Sequence, residues 1–204
     1  MQIAQSIILD LLKPFEPESL IPESASFSFR QIHLLDDIPI SPDESVLYVG
    51  TWKQVQTLDP SFWEMTCIVC MGSRDEILPL AERHDSNLII IPDFYSLASV
   101  ADRLYTGFDE IRKWSSDLEM AILAKKDYQT IISIGTRFFG KNPIIMVNSS
   151  YNLIAGSMPS SPSHERINAI LKNGYYSKDM TDGLARMGYQ ANGIKYTTPT
   201  VLYP

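Results

Sequence analysis

Two cysteines and three histidines among 204 residues leave little material for a metal centre or a disulfide framework. Cys67 and Cys70 stand as CIVC within MTCIVCMG, and no second CxxC completes a four-ligand set. The spacing also fits a redox pair. The run reads as a strand, however, where residues three apart point to opposite faces, so buried core thiols are the reading that geometry favours. His33, His84 and His164 are far apart and none belongs to an HExxH or Cys/His cluster, so no metal ligands and no cofactor are expected. GxGxxG, GxxxxGK[ST] and GxSxG are all missing, which removes the common fingerprints of dinucleotide binding, phosphate-loop chemistry and the nucleophile elbow. RHDS at 83–86 holds His, Asp and Ser side by side, but a triad needs convergence in space, and the segment reads as a helix end and turn. NSS at 148–150 matches a glycosylation acceptor only formally. Basic residues are outnumbered, 17 Lys and Arg against 24 Asp and Glu for a net charge of -7, the wrong sign for gathering phosphates. No apolar run approaches the roughly 18 to 20 residues of a membrane span, and MQIAQSIILD lacks the basic start and cleavage site of a signal peptide. A cytoplasmic chain without membrane contact is expected.

What is present is an ordinary globular composition, 45% hydrophobic and 20% charged. IAQSIILDLLKPF places Ile3, Ile7, Ile8, Leu11 and Leu12 on one helical face, and Pro14 should stop that helix. After a Pro-, Glu- and Ser-rich stretch, SFSFRQIHLL alternates like a strand with mixed faces. VLYVG at 46–50, TCIVCMG at 66–72 and NLIII at 87–91 are apolar on both faces, and the segments between them have the length of crossover helices. That alternation predicts a parallel sheet covered on both sides, a small α/β domain over residues 1–92.

Residues 93–126 are expected to form one long connecting or dimerising helix. Leu97, Leu104, Ile111 and Leu118 recur every seven residues, with Gly107 as the weak point. A stripe of some three heptads fits packing on the helix's own domain as well as it fits a homodimer seam. Asp127 is placed to cap a second helix, YQTIISIGTRFFG, and PIIMVNSSYNLIAGS reads as a hairpin. A linker, MPSSPS, leads to two helical patterns, HERINAILKNG and KDMTDGLARMG, and to a last strand pattern, IKYTTPTVLYP. Residues 127–204 therefore read as an α+β domain with few strands of its own, expected to be truncated, and the chain as a fragment of a longer protein.

Two groups of residues are candidates for binding a small effector. In an open parallel sheet, ligands lie beyond the carboxyl ends of the strands, which here offer Thr51, Ser73, Arg74 and Asp93, with Arg74 as an anion partner. The same residues are also ordinary turn formers between strand and helix. Under the hairpin, Met146, Asn148, Tyr151, Tyr175 and Tyr176 combine apolar walls with polar tips, a set that core packing accounts for more readily than a pocket does.

FDEIRKWSSDLEMAILAKKDYQTIISIGTRFFGKNPIIMVNSSYNLIAGS resembles the amino-terminal sensory region of PucR-type (CdaR-like) bacterial transcriptional regulators. The matching residues are Leu118, Ile122, Leu123, Gly135, Phe138, Asn142, Pro143, Ile144, Tyr151 and Ser157, and LYVGT and NLIII look like the α/β portion that often precedes them. The resemblance implies a partial GAF/PAS-like domain after the long helix and a role in sensing small metabolites. The family often carries Asp after the first strand of that domain, where this chain has Asn148. The family's carboxy-terminal helix-turn-helix has no counterpart here, so DNA contact is expected only through a domain outside these residues.

The expectation is a non-enzymatic, ligand-sensing and dimerisation region of a transcriptional regulator. Two rivals remain: an interaction scaffold without a small ligand, built on the long-helix stripe, and an enzyme using the α/β crevice, which lacks an evident nucleophile–base pair.

Overall fold

The computed structural model describes residues 2–22, 24–35, 41–81, 86–139, 143–157 and 165–186. His84, Asp85, Asn142, the MPSSPS linker, His164 and the terminal IKYTTPTVLYP pattern lie outside the described residues. The chain forms two compact units, Met1–Arg112 and Lys113–Pro204. Among the described residues, no helix is long and apolar enough to cross a membrane.

The first unit opens with β1 (Ile3–Ala4) and α1 (Gln5–Leu12), which ends in a 3-10 turn at Lys13–Phe15 where Pro14 removes the backbone donor a longer helix would need. β2 (Glu18–Ser19), β3 (Ser28–Phe29) and β4 (Gln31–Leu34) follow. The run read as one strand is thus two, broken at Arg30: β3 pairs antiparallel with β1, and β4 pairs parallel with β5 (Val46–Thr51). Then come α2 (Trp52–Val55), α3 (Pro60–Met65), β6 (Cys67–Met71), α4 (Arg74–Ala81) and β7 (Leu88–Ile91). The five-stranded sheet has the order β2-β7-β6-β5-β4, four parallel strands with the antiparallel β2 along one edge. This is a mixed α/β arrangement, as the alternation of apolar strands and helices predicts.

β5, β6 and β7 are buried along both faces because helices lie on each side. On one side, Tyr48, Ile68, Cys70, Leu88 and Ile90 pack with Trp52, Val55, Phe62, Trp63, Ile77 and Ala81 of α2, α3 and α4. The alternate residues Leu47, Val49, Cys67, Val69, Ile89 and Ile91 point the other way and are equally buried. That second side is closed by α1, through Ile8 and Leu12, and by the start of α5 (Leu97–Leu123), through Val100, Leu104, Phe108 and Ile111. The sulfurs of Cys67 and Cys70 fall on opposite faces, both free and buried, and burial pushes the Cys70 thiol up to about 12 and Cys67 higher still.

Gly107 is where α1 and α5 meet. A Cβ there would lie 2.5 Å from Leu11 Cδ1, and the Arg103 guanidinium donates to the Leu11 carbonyl at 3.3 Å. The residue that weakens the helix by propensity is the one that allows the crossing.

The unit boundary falls within α5. The second unit continues with α6 (Tyr128–Phe139), β8 (Ile145–Val147), β9 (Leu153–Gly156), α7 (Glu165–Asn173) and α8 (Lys178–Arg186). Asp127 caps α6 as its sequence position suggests, its carboxylate accepting the Thr130 N–H at 2.8 Å, and that contact holds the acid below its ordinary range. β8 and β9 form an antiparallel hairpin. α7 lies on it at Gly156, where a Cβ would come within 2.5 Å of Leu171 Cδ2.

Candidate functional site

The parallel strands run in sequence order from β4 to β7, and α2, α3 and α4 all sit on one face of the sheet. The chain leaving β7 goes instead to α5 on the opposite face. Connections from the neighbouring β6 and β7 therefore part at their carboxyl ends, which is how open α/β sheets acquire a crevice. An open groove of about 620 Å³ lies there, lined by Thr51, Trp52, Lys53, Gln56, Met71, Glu76, Asp93, Tyr95 and Leu97.

Thr51 and Asp93 are brought to this groove, and Ser73 and Arg74 are not among its lining residues. Thr51 is already engaged: its hydroxyl and its backbone N–H both donate to Gln54 Oε1 at 2.9 Å, while Gln54 Nε2 donates to the Leu35 carbonyl at 2.6 Å. It caps α2. The Ser73 carbonyl accepts the N–H groups of Glu76 and Ile77 at 3.2 Å and so starts α4. Arg74, expected as the anion partner, turns to the sheet edge, where its Nε lies 2.7 Å from Glu18 Oε2 on β2. The glycines ahead of these turns allow close packing of neighbouring side chains. A Cβ on Gly50 would meet Leu35 Cβ at 2.9 Å, and one on Gly72 would meet Trp52 Cβ at 2.7 Å.

Lys53, Gln56, Glu76 and Tyr95 are the polar lining residues that reasoning from strand ends missed, and Trp52, Met71 and Leu97 the apolar ones. The signal was one helical turn further on, since Lys53 and Gln56 follow β5 and Glu76 follows β6. Tyr95 is held by an edge-to-face contact with Phe15, centroids 5.2 Å apart. Among the described residues, no group of three or more His, Cys, Asp or Glu side chains is placed to hold a metal ion.

The second candidate set is built on the hairpin. Asn148 Oδ1 accepts the backbone N–H groups of Ser150 and Asn152, both at 2.9 Å, and Tyr151 takes a left-handed φ of 60° to complete the turn. An oxygen acceptor is all this turn requires, so Asn148 does the turn-forming work that an Asp would do. Tyr151 and Tyr176 meet ring to ring at 5.9 Å, and the Tyr176 N–H donates to the Tyr151 carbonyl at 3.1 Å. Tyr175 bridges to Asn152 and leaves half its surface exposed, while Met146 is half-buried on β8. The set is contiguous around the turn, and Asn148 Oδ1 serves the turn itself.

The long-helix stripe divides. Leu104 is 0% and Ile111 5% exposed, both inside the first unit, so they are not surface available to a partner. Leu97 and Leu118 are half-buried. Further along, Met120, Ile122 and Leu123 are 63%, 61% and 77% exposed.

Neither a protein-family model, nor a curated protein, nor a solved structure matches the chain, so the groove and the hairpin stand on their own geometry.

Proposed function

We propose that this chain is the effector-sensing and dimerisation region of a bacterial transcriptional regulator of the PucR type, and is not itself an enzyme or a DNA-binding module. The observation that carries the reading is the groove at the ends of β5, β6 and β7: it joins charged, polar and apolar side chains around a ligand-sized space. Among the described residues, its lining includes no serine, cysteine or histidine, and the Thr51 hydroxyl is directed to Gln54. A binding site is supported better than a catalytic one.

Leu97 lines the groove and also begins α5. A ligand there touches the first turn of a continuous 27-residue helix, whose later residues Met120, Ile122 and Leu123 are exposed and apolar. Effector capture is thereby read as a shift in that helix. The homodimer contact is assigned to this later stretch together with Leu118, with Leu104 and Ile111 serving the interior. The hairpin β8–β9 flanked by α6 and α7 is read as the core of a GAF/PAS-like domain, and DNA contact is assigned to no residue of this chain.

The test is a thermal-shift screen of the purified chain against a metabolite library, with light scattering on the same sample. A compound that raises the melting temperature in a concentration-dependent way, and is recovered chemically unchanged, supports the sensor. A dimer that binds nothing favours the interaction scaffold suggested by the exposed end of α5. A compound that is consumed favours an enzyme.

A further inference from the structure

We propose that the groove at the carboxyl ends of β5, β6 and β7 selects a small ligand carrying a cationic amine on an apolar or aromatic body. This inference rests on the sensor reading and deepens it by naming the class of effector.

Charge is the first argument. The ionic groups of the lining are Glu76, Asp93 and Lys53, two carboxylates to one ammonium. Arg74, the cation that its place at a strand end would aim at an anion, is drawn to Glu18 on β2.

The backbone adds to that preference. The start of α2 has its N–H at Thr51 donated to Gln54. The start of α4 carries Asp75 and Glu76 in its first turn, which repels negative charge from the one end of a helix that would attract it. The Gly72 N–H is already donated to the Ile91 carbonyl at 3.0 Å and is not offered to an anion.

Shape supplies the remainder. Trp52, Met71 and Leu97 form apolar wall, and the Tyr95 ring is fixed by Phe15. An amine seated against Glu76 and Asp93, with its body on these side chains, uses both chemistries. Lys53 then either meets a carboxylate elsewhere on the same molecule or stays in solvent.

The experiment is calorimetric titration of the whole chain with a matched pair, 2-phenylethylamine and phenylacetate, which differ in the sign of their charge. The amine is expected to bind and the acid not to. Amine affinity should fall at least about tenfold in the double variant Glu76→Gln, Asp93→Asn, the loss that follows removal of a charge-assisted contact. Both positions are exposed and the substitutions keep side-chain shape, so the unliganded melting temperature should be unchanged. Lys53→Met, which removes the positive charge of the lining, should tighten amine binding. Stronger binding of phenylacetate, equal amine binding by the double variant, or binding of neither probe overturns the proposal. A metabolite from the screen that binds the double variant normally but is lost in Tyr151→Ala also overturns it, while leaving the sensor reading standing. A chain that binds no metabolite of either charge overturns both.

Discussion

The two units of this chain use the same elements to different depths. Residues 1–112 close a five-stranded sheet on both faces, so that β5, β6 and β7 carry no exposed side. Residues 113–204 support a two-stranded hairpin, and among residues of that unit with described burial the buried apolar ones are Ala121, Ile132, Ala155 and Ile170. A hairpin has one pair of strands to share between two faces, so β8 remains half-buried along its length and β9 buries Ala155 while exposing Ile154. The difference teaches which unit gives the groove a frame buried on both faces, and which leaves more of its apolar side chains in reach of solvent.

The largest expected contrast is in core truncation. Ile68→Ala removes a fully buried side chain from between β5 and β7 and should cost about 4 kcal/mol, while Ile145→Ala on the half-buried β8 should cost about 1–2 kcal/mol. Cys70 provides the measurement, because a thiol pushed up to about 12 by burial reacts only from an opened state. Labelling by a thiol reagent at pH 8 should accelerate about tenfold for every 1.4 kcal/mol lost. If Ile145→Ala accelerates Cys70 labelling as strongly as Ile68→Ala, the units are one cooperative body in solution and the contrast fails.

Gly72→Ala comes next. Its Cβ would stand 2.7 Å from Trp52 Cβ, an atom tied to the backbone, and 3.1 Å from Ile77 Cδ1, so overpacking should cost about 1–3 kcal/mol in urea denaturation. The paired test in the second unit is Asn148. Asn148→Ala leaves two turn N–H groups without their acceptor and should cost about 1–2 kcal/mol, whereas Asn148→Asp should stay within about 0.5 kcal/mol of the parent. Peptide-resolved hydrogen exchange would place that loss at 145–156; a loss spread over 46–91 would contradict the separation.

The smallest effect is the acid response, and here the units should agree. Asp43, held low chiefly by the Ser45 hydroxyl, and Asp127, held low chiefly by the Thr130 N–H, are both exposed carboxylates. A carboxyl whose folded value is depressed contributes stability above the ordinary value near 3.9, and that contribution fades as pH falls through the folded value. Asp43→Asn and Asp127→Asn should each flatten the loss of stability below about pH 4, read by circular dichroism. An unchanged acid limb in either variant would show that its side-chain hydrogen bonds carry no measurable stability.

The central strands were legible because runs such as CIVCM and LIII are too short and too uniformly apolar for a surface helix. The break at Arg30 was not, since alternation continues through it and only the two pairing partners differ. Thr51 and Asp93 were legible as strand ends. The fate of Arg74 was hidden because its partner Glu18 lies 56 residues away on a strand of two residues, too short for any period. Leu104 and Ile111 illustrate a different limit: three heptads look alike whether the stripe faces its own sheet or a second helix. The hairpin turn at Asn148 was readable from local chemistry alone.

The edge strand β2 has a consequence of another kind. β7 reads Leu-Ile-Ile-Ile, a run that, left as an open sheet margin, is a template for strands of other molecules. Two residues cover it: Glu18 pairs with Ile90 and Ser19 with Ile89, Pro17 and Pro22 flank them, and Arg74 clasps Glu18. The arginine that contributes nothing to the groove thus secures a guard rail against aggregation, and the colloidal behaviour of the protein at high concentration hangs on a strand barely long enough to be one.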